Sequence, residues 1–319
     1  NFLIRMMRSS IFIVVNRCGC TGSQVGRLFY PMKADRLFKW TTIATVWLWL
    51  SLFALLPTLL VLITSFLEND TVNLFRWHFS LQNYLALLNP IYFTVFWHSF
   101  YIAGLCSLIC LLLSYPFAYF LARLESRYKS LLLFFLIFPF WTSSLIRTYA
   151  IISILKAKGL LNTLLLSLGI IHHPLTILYT STAVMIGLVY SLLPFMILPL
   201  YANIEKLDIR FIDAARDLGA SAVTILARVI LPLTLPGIMG GIILVFLPAM
   251  SMFYIPDILG GAKSLLVGNL IQNEFLAAHN WPLGSAVSMV LTLAMGLLLL
   301  MYRRANKIGQ HYDEPIGEI

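Results

Sequence analysis

The chain has 319 residues, of which 60% are apolar and only 11% are charged. Soluble domains average about 25% charged residues, so this composition cannot cover a water-facing surface. It excludes a soluble enzyme, a disordered chain and a disulfide-stapled secreted module. The net charge of +9 does not indicate nucleic-acid binding, because the basic residues lie between long uncharged runs and do not cluster on one face.

The first 31 residues fit the rest of the chain poorly. A basic start precedes only five strongly apolar residues, 11–15, which are too few for the core of a signal peptide. Met32 is a more natural start, so we treat residues 1–31 as an N-terminal extension of uncertain status. Cys18 and Cys20 have no second ligand pair in the sequence, and we expect free thiols there and no metal site.

Six uncharged runs are long enough to hold a helix that crosses a membrane. A crossing needs about 20 apolar residues, and a charge at the bilayer centre costs about 2.5–3.5 kcal/mol, so charges mark the ends of the runs. The sequence therefore predicts an all-α, polytopic membrane protein over residues 32–305. Its six spans are placed at residues 41–65, 99–121, 131–152, 180–201, 234–256 and 283–302. A shorter apolar run, 160–171, is expected to be interfacial or re-entrant.

Two features inside these spans bear on packing. Gly237 and Gly241 lie four residues apart in the fifth span, a spacing that permits close approach of another helix. Pro139 lies near the middle of the third span, where a broken helix can line a cavity.

The basic residues predict the orientation. Loops on the two sides carry seventeen and four Lys or Arg residues, and the cytoplasmic side retains the excess. Both termini are therefore expected in the cytoplasm, with residues 306–319 as a C-terminal tail. Arg147 is placed at the outer end of the third span, where its side chain can snorkel to the interface.

The loop over residues 202–233, between the fourth and fifth spans, is expected in the cytoplasm and contains an amphipathic helix. Its apolar positions recur every three or four residues. They are Leu207, Phe211, Ala214, Ala215 and Leu218. The charged positions on another face are Lys206, Arg210, Asp213 and Asp217. Gly219 suits the left-handed residue that ends a helix. By period alone, an amphipathic helix lying flat on the membrane is an equal alternative.

A longer motif distinguishes these alternatives. Asp213-Ala-Ala is followed after three residues by Gly219, then after nine by Val229, and after one more by Leu-Pro. This pattern resembles the EAA loop of type I ABC importer permeases, with Asp for the usual Glu and Val for the usual Ile. The resemblance implies the MetI-like permease fold and a coupling helix that docks into a groove on an ATPase subunit. The coupling residues it implies are Asp213, Ala214, Ala215, Arg216, Asp217, Leu218 and Gly219.

The resemblance covers about residues 33–305. Segments 139–147, 192–196, 204–208 and 259–263 are similar to the spermidine/putrescine permeases of the same family. This implies a second, similar permease subunit, two copies of a cytosolic ATPase and an extracytoplasmic binding protein, in a bacterial inner membrane. Other permeases of the family carry other small solutes, which is an open alternative.

The sequence has no phosphate-binding loop of its own. The nearest candidate, residues 261–264, has Ala262 where the second glycine is required. We therefore expect no enzyme activity and no bound cofactor in this chain, with ATP and Mg²⁺ used by the ATPase partner. A secondary carrier driven by ions is a rival, but it requires buried ionisable residues at mid-span, which the sequence does not predict. A membrane scaffold without transport is a third reading.

A polyamine stays cationic because its amines titrate near the Lys pKa of about 10.4, so its path requires carboxylates, carbonyls or aromatic faces. Phe253, Tyr254 and Asp257 lie three or four residues apart at the outer end of the fifth span and are the first candidates. The weaker candidates are Trp141, Tyr84 and Glu274. The alternatives are an interfacial carboxylate for Asp257, an aromatic belt for the two rings, core packing for Trp141 and a structural role for Tyr84.

Overall fold

The computed structural model describes residues 33–70, 76–261 and 265–310, with side chains described between residues 40 and 304 of these ranges. The extension over residues 1–31, its two cysteines and residues 311–319 lie outside the described part. Within that part, six helical stretches are long and apolar enough to cross a membrane, which confirms the predicted class. They are Trp40–Ser65, Pro90–Arg123, Ser144–Ser167, Ser181–Ile204, Ala222–Ser251 and Trp281–Arg304.

The chain divides into two compact units, residues 1–60 and 61–319. The first span consists of α1 (Lys33–Leu50), a π-helical turn (Ser51–Leu55) and α2 (Leu56–Ser65), whose end belongs to the second unit. In the first unit, large apolar side chains such as Trp47 and Leu52 are more than half exposed. A helix that is apolar on every side fits a lipid environment.

A small loop structure follows the first span. Its elements are β1 (Leu67–Glu68), β2 (Arg76–Phe79) and α3 (Gln82–Ala86). The two strands pair antiparallel, with Leu67 opposite Phe79. The Asn83 amide donates hydrogen bonds to the carbonyl oxygens of Ser65 at 3.1 Å and Leu67 at 2.8 Å. The loop therefore satisfies carbonyl groups at and just beyond the end of α2.

Three long helices form the core of the second unit. They are α4 (Pro90–Arg123), α8 (Ser181–Ile204) and α11 (Leu231–Ser251). All three pack against one another, and α8 is the most buried. Leu188, Leu192 and Met196 of α8 have no exposed surface. Because α8 carries apolar residues around most of its circumference, neighbouring helices can pack against most of its sides.

The second span begins earlier than the predicted residue 99. The Asn89 side chain caps α4 by accepting a hydrogen bond from the Ile91 N–H at 3.2 Å. Pro90 follows the cap, where its missing N–H leaves no helical bond unmade. The 34 residues of α4 extend over about 51 Å, so the helix is longer than the hydrocarbon layer of about 30 Å.

The third span, predicted over 131–152, is interrupted near Pro139, the position at which the sequence allowed a broken helix. α5 (Ser126–Ile137) runs into a 3₁₀ turn (Phe138–Trp141), and α6 (Ser144–Leu155) begins after an extended residue, Thr142. The break occurs at Pro139, which has no N–H to continue the hydrogen bonds of α5. A 12-residue helix is about 18 Å long, so we infer that α5 and α6 cross in succession.

The stretch 144–167 consists of α6 and α7 (Leu160–Ser167), which are separated by residues 156–159. α7 has only eight residues. It lies within the run 160–171 that the sequence separates from the six spans.

The loop between the fourth and fifth spans is largely helical. It contains α9 (Ile209–Asp217), α10 (Ala222–Ile225) and a π-helical turn (Leu226–Ile230) that continues into α11. The fifth span therefore begins near residue 222, before the predicted residue 234. We call the end of the bundle that carries α9 the coupling end and the opposite end the distal end.

The fifth span also ends earlier than the predicted residue 256. α11 stops at Ser251, and Met252 is extended, with ψ at 128°. Pro256 has no N–H to donate to the Met252 carbonyl, so the regular helix cannot continue through this point. A π-helical turn (Pro256–Gly260) follows. The fold is completed by α12 (Val267–Leu276) and α13 (Trp281–Gln310).

Candidate coupling helix and solute path

Hydrogen bonds fix both ends of α9. At its start, the Asp208 carboxylate accepts a hydrogen bond from the Arg210 N–H at 3.0 Å, an N-cap that the sequence analysis did not single out. At its end, Gly219 has a φ of +75° and donates its N–H to the Arg216 carbonyl at 2.8 Å. The predicted left-handed conformation of Gly219 is confirmed.

One side of α9 packs against its own chain. Ile212 is 3% exposed and contacts Ile225 and Ile230, which precede α11. Ala215 is half-buried against the same cluster. The sequence analysis missed Ile212 as the anchor, although its spacing of three residues from Ala215 was a usable signal. These contacts attach α9 to the beginning of the fifth span.

A second side of α9 is apolar and open. Phe211 is 58% exposed and Leu218 is 88% exposed, while Ala214 between them is also exposed. The spacings of three and four residues place them on one face of the helix. Charged residues flank this face, and Arg216 donates to Asp213 at 3.3 Å beside it. An exposed apolar face with charged edges has the character of a protein docking surface.

An ion pair lies at the coupling end beside α9. Lys129 Nζ of α5 is 2.9 Å from Glu205 Oε1, directly after α8, and 5.9 Å from the centre of the Tyr201 ring. Hydrogen bonds from Lys129 and Tyr201 hold the pKa of the Glu205 carboxyl below its ordinary value. The sequence analysis did not predict this pair.

The first three path candidates lie on one turn at the distal end. The Asp257 N–H donates to the Phe253 carbonyl at 3.1 Å, which closes a helical turn between them. The Phe253 and Tyr254 rings are edge to face, with centroids 6.0 Å apart. Asp257 and Phe253 are exposed, and Tyr254 is half-buried. A carboxylate beside two aromatic rings provides the chemistry that an ammonium group requires.

Asn269 supports this turn from α12. Its amide donates to the Phe253 carbonyl at 2.8 Å, and the side chain is 4% exposed. The contact holds the segment where the fifth span is interrupted. No local pattern in the sequence indicates it, because the two residues lie on different elements.

The weaker path candidates are not on that turn. Trp141 is 76% exposed in the 3₁₀ turn of the third span, so it lies outside the packed core. The Tyr84 hydroxyl is 2.8 Å from Ser65 Oγ, a contact that favours the structural alternative for Tyr84. Glu274 is half-buried on α12, and burial raises the pKa of its carboxyl.

Metal ligands are not grouped in the described residues: no three His, Cys, Asp or Glu side chains there are placed to hold one ion.

The chain is similar to several transport proteins. The spermidine/putrescine transport system permease protein PotB of Haemophilus influenzae is 54% identical over 271 residues, which are 85% of this chain and 95% of the relative. PotB of Escherichia coli is 52% identical over 266 residues, 83% of this chain and 97% of the relative. The inner membrane ABC transporter permease protein YdcU of Escherichia coli is 29% identical over 238 residues, 70% and 75% of the two chains.

Solved structures show the same fold. The crystal structure of a bacterial ABC transporter involved in the import of alginate aligns with a TM-score of 0.70 at 15% identity, covering 90% of this chain and all of that chain. A family model for inner membrane components of binding-protein-dependent transport systems matches residues 114–308. The resemblance seen in the EAA-like loop is thereby confirmed. The chain belongs to the family of binding-protein-dependent transport system inner membrane components.

Proposed function

We propose that this chain is a permease subunit of an ATP-driven importer of polyamines, with spermidine and putrescine as its solutes. The observation that carries the proposal is the identity of 54% and 52% to two PotB permeases over 95% and 97% of their lengths. Family membership makes the chain a multi-pass component of the inner membrane. The assignment of polyamines as its solutes goes beyond family membership and rests on the identity to PotB.

The proposed coupling element is α9, with the motif from Asp213 to Gly219. Its open face of Phe211, Ala214 and Leu218 docks on a separate ATPase subunit that binds ATP and Mg²⁺. Its buried face, centred on Ile212, is attached to the start of the fifth span. A movement of the ATPase is therefore passed through α9 to α11, because a packed cluster transmits displacement better than a flexible linker.

The proposed assembly contains four further components. They are a second permease subunit similar to PotC, two copies of an ATPase similar to PotA, and a periplasmic binding protein similar to PotD. The excess of basic residues on one side supports an orientation with both termini and α9 in the cytoplasm. The distal end then faces the periplasm, where the binding protein delivers the solute.

The proposed solute path begins at the distal turn. Asp257 provides a negative charge for one ammonium group, while Phe253 and Tyr254 provide aromatic faces that replace part of its water. Asp257 is exposed, so it lowers the barrier to entry without forming a deep site that traps the cation. Glu274 lies on the same end and is proposed to attract cations or contact the binding protein. Trp141 is a further candidate for the path.

Uptake of labelled spermidine tests the proposal. The chain is produced with its partner subunits in cells without other polyamine importers, and uptake is measured with an excess of unlabelled putrescine, a sugar or an amino acid. We expect ATP-dependent uptake that putrescine reduces and the other solutes do not. Uptake of a different solute class in place of spermidine overturns the polyamine assignment. Uptake that persists when the ATPase is inactivated, and that a protonophore abolishes, favours an ion-coupled carrier.

A further inference from the structure

Arg147 is a cation inside a membrane-spanning segment and has no ion-pair partner among the described residues. It lies in the first turn of α6, and its Nε atom is buried without a hydrogen-bond partner in the described part of the chain. The ion pairs formed between described residues do not include Arg147. The residue as a whole is half-buried, and a guanidinium without a counter-charge inside a membrane is unfavourable, so we expect its partner outside the described residues.

From the length of α6 we infer a deeper position for Arg147 than the sequence predicts. The sequence placed it at the outer end of the third span, but α6 continues to Leu155, and the next cation is Lys156. Nine residues at about 1.5 Å each put Arg147 about 13 Å from Lys156 along the helix. In a hydrocarbon layer of about 30 Å this is close to the centre, too deep for easy snorkelling to lipid phosphates.

One aromatic ring lies against the guanidinium, and a second ring supports the first. Arg147 Cζ lies 4.7 Å from the centre of the Phe140 ring, and Phe140 packs edge to face on Phe195 of α8 at 5.4 Å. The Phe140 ring provides part of the stabilisation that a cation requires, but it carries no formal negative charge. The site therefore presents an oriented cation without a counter-charge in the described part of the chain.

We propose that a carboxylate of a second membrane subunit receives the Arg147 guanidinium, and that the surface of α6 around it is where this subunit docks. Ala150 and Ile154 follow Arg147 by three and seven residues, which places them on its side of α6, and both are exposed, so the surface around this charge is apolar. A position in the wall of a polyamine path is the poorer explanation, because a fixed cation repels a polycation. The inference rests on the proposed function in requiring a second permease subunit.

Assembly of the complete transporter tests the inference. The tagged chain is produced with its partner subunits, and the second membrane subunit retained per tagged chain is measured after purification. For Arg147→Gln we expect retention to fall at least about tenfold, because the partner carboxylate is left buried and unpaired. The control is Lys156→Gln, which removes an exposed cation next to α6 and should retain the subunit normally. Full retention with Arg147→Gln overturns the inference.

A charge exchange separates loss of the pair from misfolding. Arg147→Glu is combined in turn with Arg at each carboxylate position in the spans of the second subunit. One combination is expected to restore assembly, and a change in another subunit does not correct a chain that fails to fold. Failure of every exchange overturns the inference. The assembly assay contains no solute, so its result does not depend on which solute is transported. If assembly is restored but polyamine uptake is absent, the result counts against the proposed substrate alone.

Discussion

Lys129 Nζ lies 2.9 Å from Glu205 Oε1 and joins the first turn of α5 to the residue that follows α8. α5 has no fully buried side chain, so few apolar contacts fix its coupling end. The pair and Tyr201 therefore connect the broken third span to the base of the coupling loop. This connection lies close to α9, where movement enters the bundle in the proposed mechanism.

Reversing one charge of this pair is expected to lower stability slightly. In Lys129→Glu, two carboxylates face each other, and we expect a loss of about 0.5–1 kcal/mol, the range of partly exposed ion pairs. The double variant Lys129→Glu with Glu205→Lys should recover part of it. Thermal unfolding of the purified protein measures the change. Arg127→Glu is the control, since Arg127 is an exposed cation on the same turn. An equal loss in both single variants contradicts a specific pair.

The same pair predicts a pH dependence. The pKa of Glu205 is lowered in the folded protein, so its stabilising contribution is complete above the ordinary Glu pKa of about 4.3. It is lost as the pH falls through the lowered pKa, because the carboxylate becomes protonated and no longer pairs with Lys129. The stability difference between the wild type and Glu205→Gln should be constant from about pH 8 to 5 and should shrink below about pH 4. A difference that increases on acidification contradicts the assignment.

The open face of α9 is expected to be required for ATP-driven uptake. Phe211→Asp places a charge on this face, and we expect uptake to fall at least about tenfold, because an aromatic anchor at an interface contributes strongly to binding. Membrane insertion should remain normal, since Phe211 is not part of the packed core. Uptake and stimulation of the ATPase by the binding protein are measured in the complete transporter.

Ile209→Asp is the matched control for that experiment. Ile209 is an apolar residue of the same helix, 52% exposed, and lies about 160° around the helix from Phe211. We expect its variant to transport at close to the normal rate. Equal loss of uptake in the two variants argues for a general disturbance of α9. Ala215→Glu is a less specific probe because Ala215 packs against its own chain.

Local patterns predicted the features that depend on local chemistry. The length of the apolar runs predicted six spans, because the cost of burying charge acts on each segment separately. Gly219 was predicted to end a helix, and its φ of +75° confirms it. The position of Pro139 marked the interruption of the third span, although the sequence did not show where each helix stops.

Features that join distant segments were not predictable from these patterns. Lys129 and Glu205 are 76 residues apart, and Asn269 reaches the Phe253 carbonyl from another helix. Hydrophobic period also did not identify the face of α9 that packs against its own chain. Phe211 and Leu218 are more apolar than Ala215, but the packed side is centred on Ile212. The spacing of apolar residues identifies an apolar face of a helix. It does not decide whether that face is covered by the same chain or by a partner.

Two neighbouring glycines of α11 are expected to respond oppositely to the same change. A Cβ on Gly237 would lie 2.6 Å from Asn203 Cβ and 3.1 Å from the Pro199 carbonyl oxygen, whereas one on Gly240 meets only Pro199 Cβ at 3.9 Å. Ala favours a helix over Gly by about 1 kcal/mol. We expect Gly240→Ala to be neutral or stabilising and Gly237→Ala to lose about 1–3 kcal/mol through overpacking. Thermal unfolding compares them, and equal stability contradicts close packing of α8 on α11.

The distal carboxylate provides the most direct test of the solute path. Asp257→Asn removes the charge but keeps the shape, so we expect polyamine uptake to fall about tenfold, as loss of a charged hydrogen bond of roughly 1.5 kcal/mol predicts. Asp257→Glu should retain most of the uptake because it keeps the charge. Glu68→Gln is the control, since Glu68 is an exposed acid in the loop after the first span, at the same end as Asp257.

The initial rate of labelled spermidine uptake is measured at several concentrations, together with ATPase activity. In Asp257→Asn the loss should decrease as spermidine is raised, because a weaker encounter with the cation raises the concentration needed for half-maximal uptake. Unchanged uptake in Asp257→Asn removes this residue from the path and leaves it as a carboxylate that marks the end of a span.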